Sequence, residues 1–279
     1  MVALPPRPEQ QVIDRIYGAI EKEKAEPEIY LGRLGASSVG AECIRAVWLS
    51  WRAYARKVFP GRMERLFETG HQQEARIVAD LRRAGFEVWD KREDGKQFEY
   101  TDKSGHLITK VDGVIKGVPE AEKTPHVLEI KTHNKNSFSG LVKKGVQEGK
   151  PEHYIQMQVG MMLSGMNRSL YVALCKDDEQ FYVERVKADK TEQDKLKAKV
   201  IKLVDARLKP AGISESPDAF SCKFCDMKQV CFGEVAPLRN CRTCSMCTPG
   251  NEGKWVCELN KETLSFDKQR LACEHYEVL

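Results

Sequence analysis

The chain has 279 residues, 41% hydrophobic and 31% charged, which predicts one large domain or two smaller ones with material for a sizeable core. No stretch approaches the roughly 18 uninterrupted apolar residues of a membrane span, and the opening MVALPPRPEQQVIDRIYGAIEKEK lacks the basic-then-apolar layout of an export signal, so a cytoplasmic location and no membrane partner are expected. A net charge of +4, from 45 basic and 41 acidic residues, permits approach to a polyanion without requiring it.

In chain order, Val12, Ile13, Ile16, Tyr17 and Ile20 recur at helical spacing and predict a polar helix over 9–26. After Gly32-Arg33-Leu34-Gly35-Ala36, Ser37 or Ser38 is placed to cap a helix running through Cys43, Ala46, Val47 and Trp51. A longer amphipathic helix is expected over 62–84. Strands follow at 86–89, 98–100, 106–115 and 126–132, bounded by turn residues. Residues 151–165 return to helix, 169–175 and 180–186 form a hairpin about Lys176-Asp177-Asp178-Glu179, and a charged helix spans 190–207. Pro210, Gly212 and Pro217 break the pattern before a cysteine-rich tail. The order implies an α/β core with helices flanking a mixed sheet.

Three side chains in this core carry the chemistry. Residues i and i+2 of a strand share a face, so Glu129 and Lys131 project together while Ile130 turns into the core. The preceding strand can set Asp112 opposite them. Two carboxylates suit a hard divalent cation such as Mg²⁺ or Mn²⁺, which takes oxygen ligands and keeps waters. A lysine beside them can orient or help deprotonate water and offset charge that builds on a phosphate. The tripeptide Glu-x-Lys alone is abundant, and a surface ion pair would account for it.

Val111-Asp112-Gly113 followed by Glu129-Ile130-Lys131 resembles the PD-(D/E)XK nuclease superfamily, in which a lone acid precedes an acid-x-lysine strand; the proline of the family name is absent before Asp112. Two further segments extend the resemblance toward its RecB-like branch. Gly70-His71-x-x-Glu74 is similar to the helix whose histidine joins the metal, and Pro151–Met161 is similar to a helix whose glutamine meets the catalytic centre or the DNA end. The resemblance covers residues 70–160. It implies a restriction-endonuclease-like mixed sheet flanked by helices and a Mg²⁺- or Mn²⁺-dependent deoxyribonuclease. Asp112, Glu129 and Lys131 would be catalytic, with Gln156 or Gln158, and His71, Asp112, Glu129 and the Ile130 carbonyl would hold the metal. Single- or double-stranded DNA ends would be the substrate. A recombination or replication protein would be a partner, and the setting would be recombination, repair or phage DNA metabolism, with a host cytoplasm for a viral gene. Arg33, Arg45, Lys143 and Lys144 are candidate phosphate contacts. A non-catalytic nucleic-acid-binding protein on the same fold and a redox-sensing regulator are the rival readings.

Of ten cysteines, Cys43 and Cys175 stand alone and eight crowd into the last quarter, which in a reducing compartment reads as metal ligation. Cys222-x2-Cys225-x5-Cys231 supplies three thiolates and needs a distant fourth. An early cysteine closed by such a late motif resembles the iron–sulfur nucleases of the RecB- and AddB-like group and the CRISPR-adaptation exonucleases. That likeness implies Cys43, Cys222, Cys225 and Cys231 around a [4Fe–4S] cluster, or around Zn²⁺ in its place. Cys241, Cys244, Cys257 and Cys273 suit a structural Zn²⁺ site, with Cys247 and His275 as spare donors. Cys175, at a strand end, is expected in the core. The division expected is a nuclease domain over 1–235 and a zinc-binding tail over 236–279. The tail carries six basic and six acidic side chains from Arg239 onward, so a DNA grip is not indicated there.

Overall fold

The computed structural model describes residues 7–24, 29 and 31–279. Helix α1 (Pro8–Lys24) buries none of its residues and leans on the next long helix, where Glu21 Oε1 accepts a hydrogen bond from Gly61 N at 2.6 Å. The expected end of this helix at residue 26 lies outside the described residues.

The helix expected from Ser37 or Ser38 through Trp51 is two helices. After β1 (Leu34–Gly35), Gly35 caps the short α2 (Ala36–Val39), and Cys43 is the N-cap of α3 (Ile44–Trp51). Between them the chain passes against Ile155 at Gly40, where a Cβ would lie 2.7 Å from Ile155 Cγ2. This close approach, which only glycine permits, replaces a continuous helix.

Helix α4 (Gly61–Arg83) agrees with its sequence pattern, as do β2 (Glu87–Trp89) and β3 (Phe98–Thr101). The strand expected over 106–115 divides at Asp112 into β4 (Leu107–Val111) and β5 (Gly113–Lys116). The two halves belong to different sheets: β4 lies between β1 and β3, whereas β5 joins β2 and β6 (His126–His133). Helix α5 (Lys135–Gly149) is absent from the sequence reading. Its three glycines weaken the helical signal, and Gly145, at φ 71°, kinks it. Its start is conventional, with the Asn134 side chain accepting from Ser137 N at 2.9 Å.

Helix α6 (Pro151–Ser164), strands β7 (Arg168–Cys175) and β8 (Phe181–Lys187), and helix α7 (Lys190–Asp205) complete the core. The main sheet runs β2-β5-β6-β7-β8, with β6 and β7 parallel and the other pairs antiparallel. It is the mixed sheet flanked by helices that the sequence predicts. On one face Leu128, Ile130, Leu170, Val172 and Leu174 pack with Ile77 and Val78 of α4. On the other, Val127, Tyr171, Ala173 and Cys175 meet Phe138 and Leu141 of α5 and Met157 and Met161 of α6.

The tail continues through α8 (Phe220–Lys223), α9 (Lys228–Cys231), a small antiparallel sheet of β9 (Cys247–Pro249), β10 (Trp255–Cys257) and β11 (Glu262–Leu264), and α10 (Phe266–Arg270). Trp255, Leu264, Cys244 and Cys247 share one buried cluster with Leu34, Trp48, Trp51, Val159 and Leu196. The two sides of the expected boundary at 235/236 therefore meet in a common core. No helix among the described residues is long and apolar enough to cross a membrane.

Candidate active site and thiol-lined cavities

Asp112 stands where the chain leaves one sheet for the other. Gly113 pairs with Leu128, so Asp112 falls beside Glu129. A Cβ on Gly113 would lie 2.8 Å from Trp89 O, so glycine is what lets the strand turn there. The Asp112 carboxylate is pinned by Ile130 N, which donates to Oδ2 at 2.7 Å. Glu129 is 1% exposed, and Lys131 Nζ is in ion-pair contact with its Oε1. That oxygen is closed off from solvent, and the ammonium is the partner that offsets its burial.

Burial pushes the Glu129 carboxyl up to about 7; the neighbouring Asp112 and Glu74 charges add to this, and Lys131 opposes it. Burial also raises Asp112, against the pull of Lys131 and the Ile130 N–H. Glu74, half-buried on α4, is raised by burial and by Asp112, with His71 and Lys131 acting the other way. Burial works against the charge on Lys131, but Glu129 and Asp112 outweigh it and push the ammonium up to about 12. Three carboxylates thus surround one ammonium in a poorly solvated place. Their oxygens are donors of the kind a hard divalent cation takes.

Asp112, Glu129 and Lys131 are therefore gathered in one place, with Ile130 in the core at 1% exposure. His71, exposed on α4, lies within electrostatic range of Asp112 and Glu74. The two glutamines part company. Gln156 is half-buried on α6, one turn before Gly160, which faces Val111 and Val127. Gln158 is fully buried; its Nε2 donates to Lys187 O at 2.9 Å and its Oε1 accepts from Asp189 N at 2.8 Å. Its amide is spent tying α6 to the start of α7, which corrects its place among the catalytic candidates.

Arg45 is corrected likewise. It is buried, with Nε donating to Pro210 O at 2.8 Å and Nη2 to Glu215 at 2.8 Å, so it does not face a phosphate backbone. Arg33 pairs with Glu99 at 3.7 Å, and Lys143 and Lys144 are exposed on α5.

The sequence reading missed a buried polar chain on the same face. His153 Nδ1 and His133 Nε2 lie 2.8 and 3.0 Å from the Tyr171 hydroxyl, and His133 Nδ1 lies 3.0 Å from Ser137 Oγ. A signal was present: Glu129, Lys131 and His133 alternate, so the third had to share the face of the first two.

The cysteines line two cavities. Cys43, Cys222, Cys225 and Cys231 line one of about 20 Å³, where Arg45 Nη1 donates to Cys231 Sγ at 3.8 Å. Cys241, Cys244, Cys257 and Cys273 line another of about 20 Å³, joined by Cys247 and His275. Cys247 pairs with Cys257 across β9 and β10, so it stands among the ligand candidates. Burial raises the Cys241 thiol to about 11 and the Cys247 thiol to about 12, the latter against the pull of Arg52. All ten cysteines are free, and Cys175 is buried at the end of β7. Among the described residues, no three carboxylate, imidazole or thiol donors already stand close enough together to hold an ion. The sets are gathered but open, and binding would require their side chains to turn inward.

No protein-family model matches the chain, and no curated protein does. Among solved structures it is similar to an alkaline exonuclease from Laribacter hongkongensis, at 19% identity over 68% of this chain and 90% of that one, with a TM-score of 0.46. It is also similar to SSO0001, at 12% identity over 81% of this chain and 98% of that one, with a TM-score of 0.43. Likeness at this level leaves function to be argued from the side chains.

Proposed function

We propose that the chain is a Mg²⁺- or Mn²⁺-dependent DNA nuclease, an exonuclease or end-processing enzyme that hydrolyses phosphodiester bonds at single- or double-stranded ends. One observation carries this reading. Glu129 is buried beside Asp112 with Lys131 as its ion-pair partner, so two carboxylates and an ammonium share one poorly solvated place, the donor set that metal-assisted phosphodiester hydrolysis calls for.

In this reading Asp112 and Glu129 hold the cation, with His71 and the Ile130 carbonyl completing its protein ligands. Bound there, the cation supplies Lewis acidity at a phosphate oxygen and acidifies water. Ile130 N fixes one Asp112 oxygen, so the other is free to face the ion. Lys131, flanked by carboxylates, is a cation, which favours orienting the water and offsetting phosphate charge over abstracting a proton. The water oxygen forms the new bond to phosphorus, its proton passes to solvent, and the departing sugar oxygen leaves and is protonated. Gln156 would be the glutamine that meets the substrate. Cys43, Cys222, Cys225 and Cys231 would hold a [4Fe–4S] cluster or Zn²⁺, and Cys241, Cys244, Cys257 and Cys273 a structural Zn²⁺, both as scaffolding.

The deciding experiment is a time course on end-labelled single- and double-stranded DNA with Mg²⁺ or Mn²⁺, against EDTA and Lys131→Ala controls. Cutting that needs both the metal and Lys131 is the expected result. DNA binding without cutting in either metal overturns it. Anaerobic purification with metal analysis addresses the thiols. A brown protein with about four irons, bleached by Cys43→Ser but not by Cys257→Ser, is expected for a cluster.

A further inference from the structure

The face of the sheet that carries Glu129 and Lys131 also carries the buried chain Ser137–His133–Tyr171–His153, to which the proposed hydrolysis gives no part. We infer that His133, Tyr171 and His153 are positioning residues for Lys131, a rigid neutral wall that keeps its ammonium aimed at Glu129 and Asp112. This rests on the nuclease reading for its catalytic consequence, though not for the geometry.

The placement follows from register. On β6, Glu129, Lys131 and His133 point the same way, and across the parallel ladder they meet Tyr171, Ala173 and Cys175 in turn. Lys131 therefore lies beside the smallest of the three, Ala173, with Tyr171 and His133 on either side. The imidazole rings of His133 and His153 have centroids 5.6 Å apart, and those of His153 and Tyr171 are 5.8 Å apart, so the three rings form one block.

The Tyr171 hydroxyl has one proton, yet an imidazole nitrogen stands within hydrogen-bond distance on each side. It donates to one ring and accepts from the other, which both rings satisfy as neutral imidazoles of matched tautomer. Ser137 Oγ closes the far end at His133 Nδ1, and Ser137 is itself held at the start of α5 by Asn134. Burial, followed by the repulsion of nearby lysines including Lys131, pushes His133 down to about 4 and His153 down to about 3. The wall thus presents no positive charge to drive the ammonium away. A free lysine stem has rotamer entropy that must be lost before its ammonium is held in one place. Ordering it before DNA arrives is the kind of preorganisation that raises turnover rather than binding.

The test uses the full chain with Mn²⁺ and end-labelled DNA. Tyr171→Phe and His153→Leu should lower kcat on the order of tenfold to a hundredfold with KM little changed. His153→Asn, whose amide can stand in for Nδ1, should recover most of the rate. Unchanged kcat in folded Tyr171→Phe, or equal losses in the Leu and Asn variants, overturns the proposal. An independent readout is the mobility of the Lys131 ammonium by NMR in protein without DNA. It should rise in Tyr171→Phe, and an equally ordered ammonium in both proteins sinks the inference. A wild-type chain that never cuts DNA would defeat the nuclease reading alone, because the NMR comparison still decides the positioning role.

Discussion

The carboxylate site and the cysteine-rich tail both gather groups that suit metals, but different forces hold them in place. At the first, the backbone does the positioning. Asp112 sits at the break between two sheets, Ile130 N fixes its carboxylate, and strand alternation sets Glu129 and Lys131 side by side. In the tail the strands β9, β10 and β11 have three residues each, too short to set a site alone. Side chains take over. Arg242 donates to the carbonyls of Gly32 at 2.6 Å, Leu31 at 3.1 Å and Trp51 at 3.2 Å, and to Gln269 Oε1 at 2.8 Å. Arg52 donates to the carbonyls of Arg242 at 2.7 Å and Cys247 at 3.3 Å, and Trp255 packs under both guanidinium groups. The lesson is that the first site depends on the sheet, whereas the tail depends on two buried arginines and the core it shares with α3.

The largest expected effect breaks the first region chemically and leaves the fold intact. Lys131→Ala and Asp112→Asn should each lower DNA cleavage by at least about 10²- to 10³-fold. Asp112→Asn relieves carboxylate repulsion and should leave the melting temperature unchanged or raised, whereas Lys131→Ala strips Glu129 and Asp112 of their cation and should lower it. Cleavage rates beside thermal melts check this. A comparable loss of rate in Cys257→Ser at unchanged stability would erase the distinction drawn between the regions.

The converse variant is Arg242→Ala. It strands carbonyls of Leu31, Gly32 and Trp51 and opens a hole beside Trp255, so a loss of about 3 kcal/mol or more is expected in denaturant unfolding. The fraction that remains folded should cut DNA at the wild-type rate. A stable variant with impaired cutting would place the tail in the catalytic machinery instead.

How far the sequence could foresee each region follows from the same contrast. Glu129, Lys131 and Asp112 were legible because strand alternation is a local rule, and the long helices α4, α6 and α7 because their apolar spacing is local too. The break at Asp112 was not. Residues 106–115 alternate as one strand, and only the contact between Gly113 and Trp89 O, distant in sequence, shows why it divides. The helix α5 was hidden by its glycines, and the tail's place in the common core by arginine bonds spanning about two hundred residues. Gln156 and Gln158 could not be told apart, because the hydrogen bonds that occupy Gln158 come from the later β8–α7 junction.

Those two glutamines sharpen the comparison on a smaller scale. Gln158→Ala leaves Lys187 O and Asp189 N without their buried partner, at a cost of about 1–3 kcal/mol in stability. Gln156→Ala should leave the melt within about 0.5 kcal/mol and weaken cleavage. The outcome that overturns this assignment is the reverse pairing of melting and rate.

The smallest effect concerns pH, and there the site and the histidine wall pull in opposite directions. His133 and His153 have folded pKa values of about 4 and 3, below the usual 6.5. The unfolded chain therefore binds more protons, and their stabilisation is full above pH 6.5 and lost as pH falls below it. Glu129 does the opposite: raised from 4.5 to about 7, it favours the folded state at low pH and loses that advantage as pH rises through 7. Without divalent cations the histidines therefore give stability an upward slope with pH below 6.5, and Glu129, joined by the raised Asp112 and Glu74, works against it. His153→Asn removes one imidazole and should flatten that slope, read from urea midpoints across that range. A slope unaltered by the substitution would mean that His153 titrates normally, and that the wall beside Lys131 is wetter than its hydrogen bonds imply.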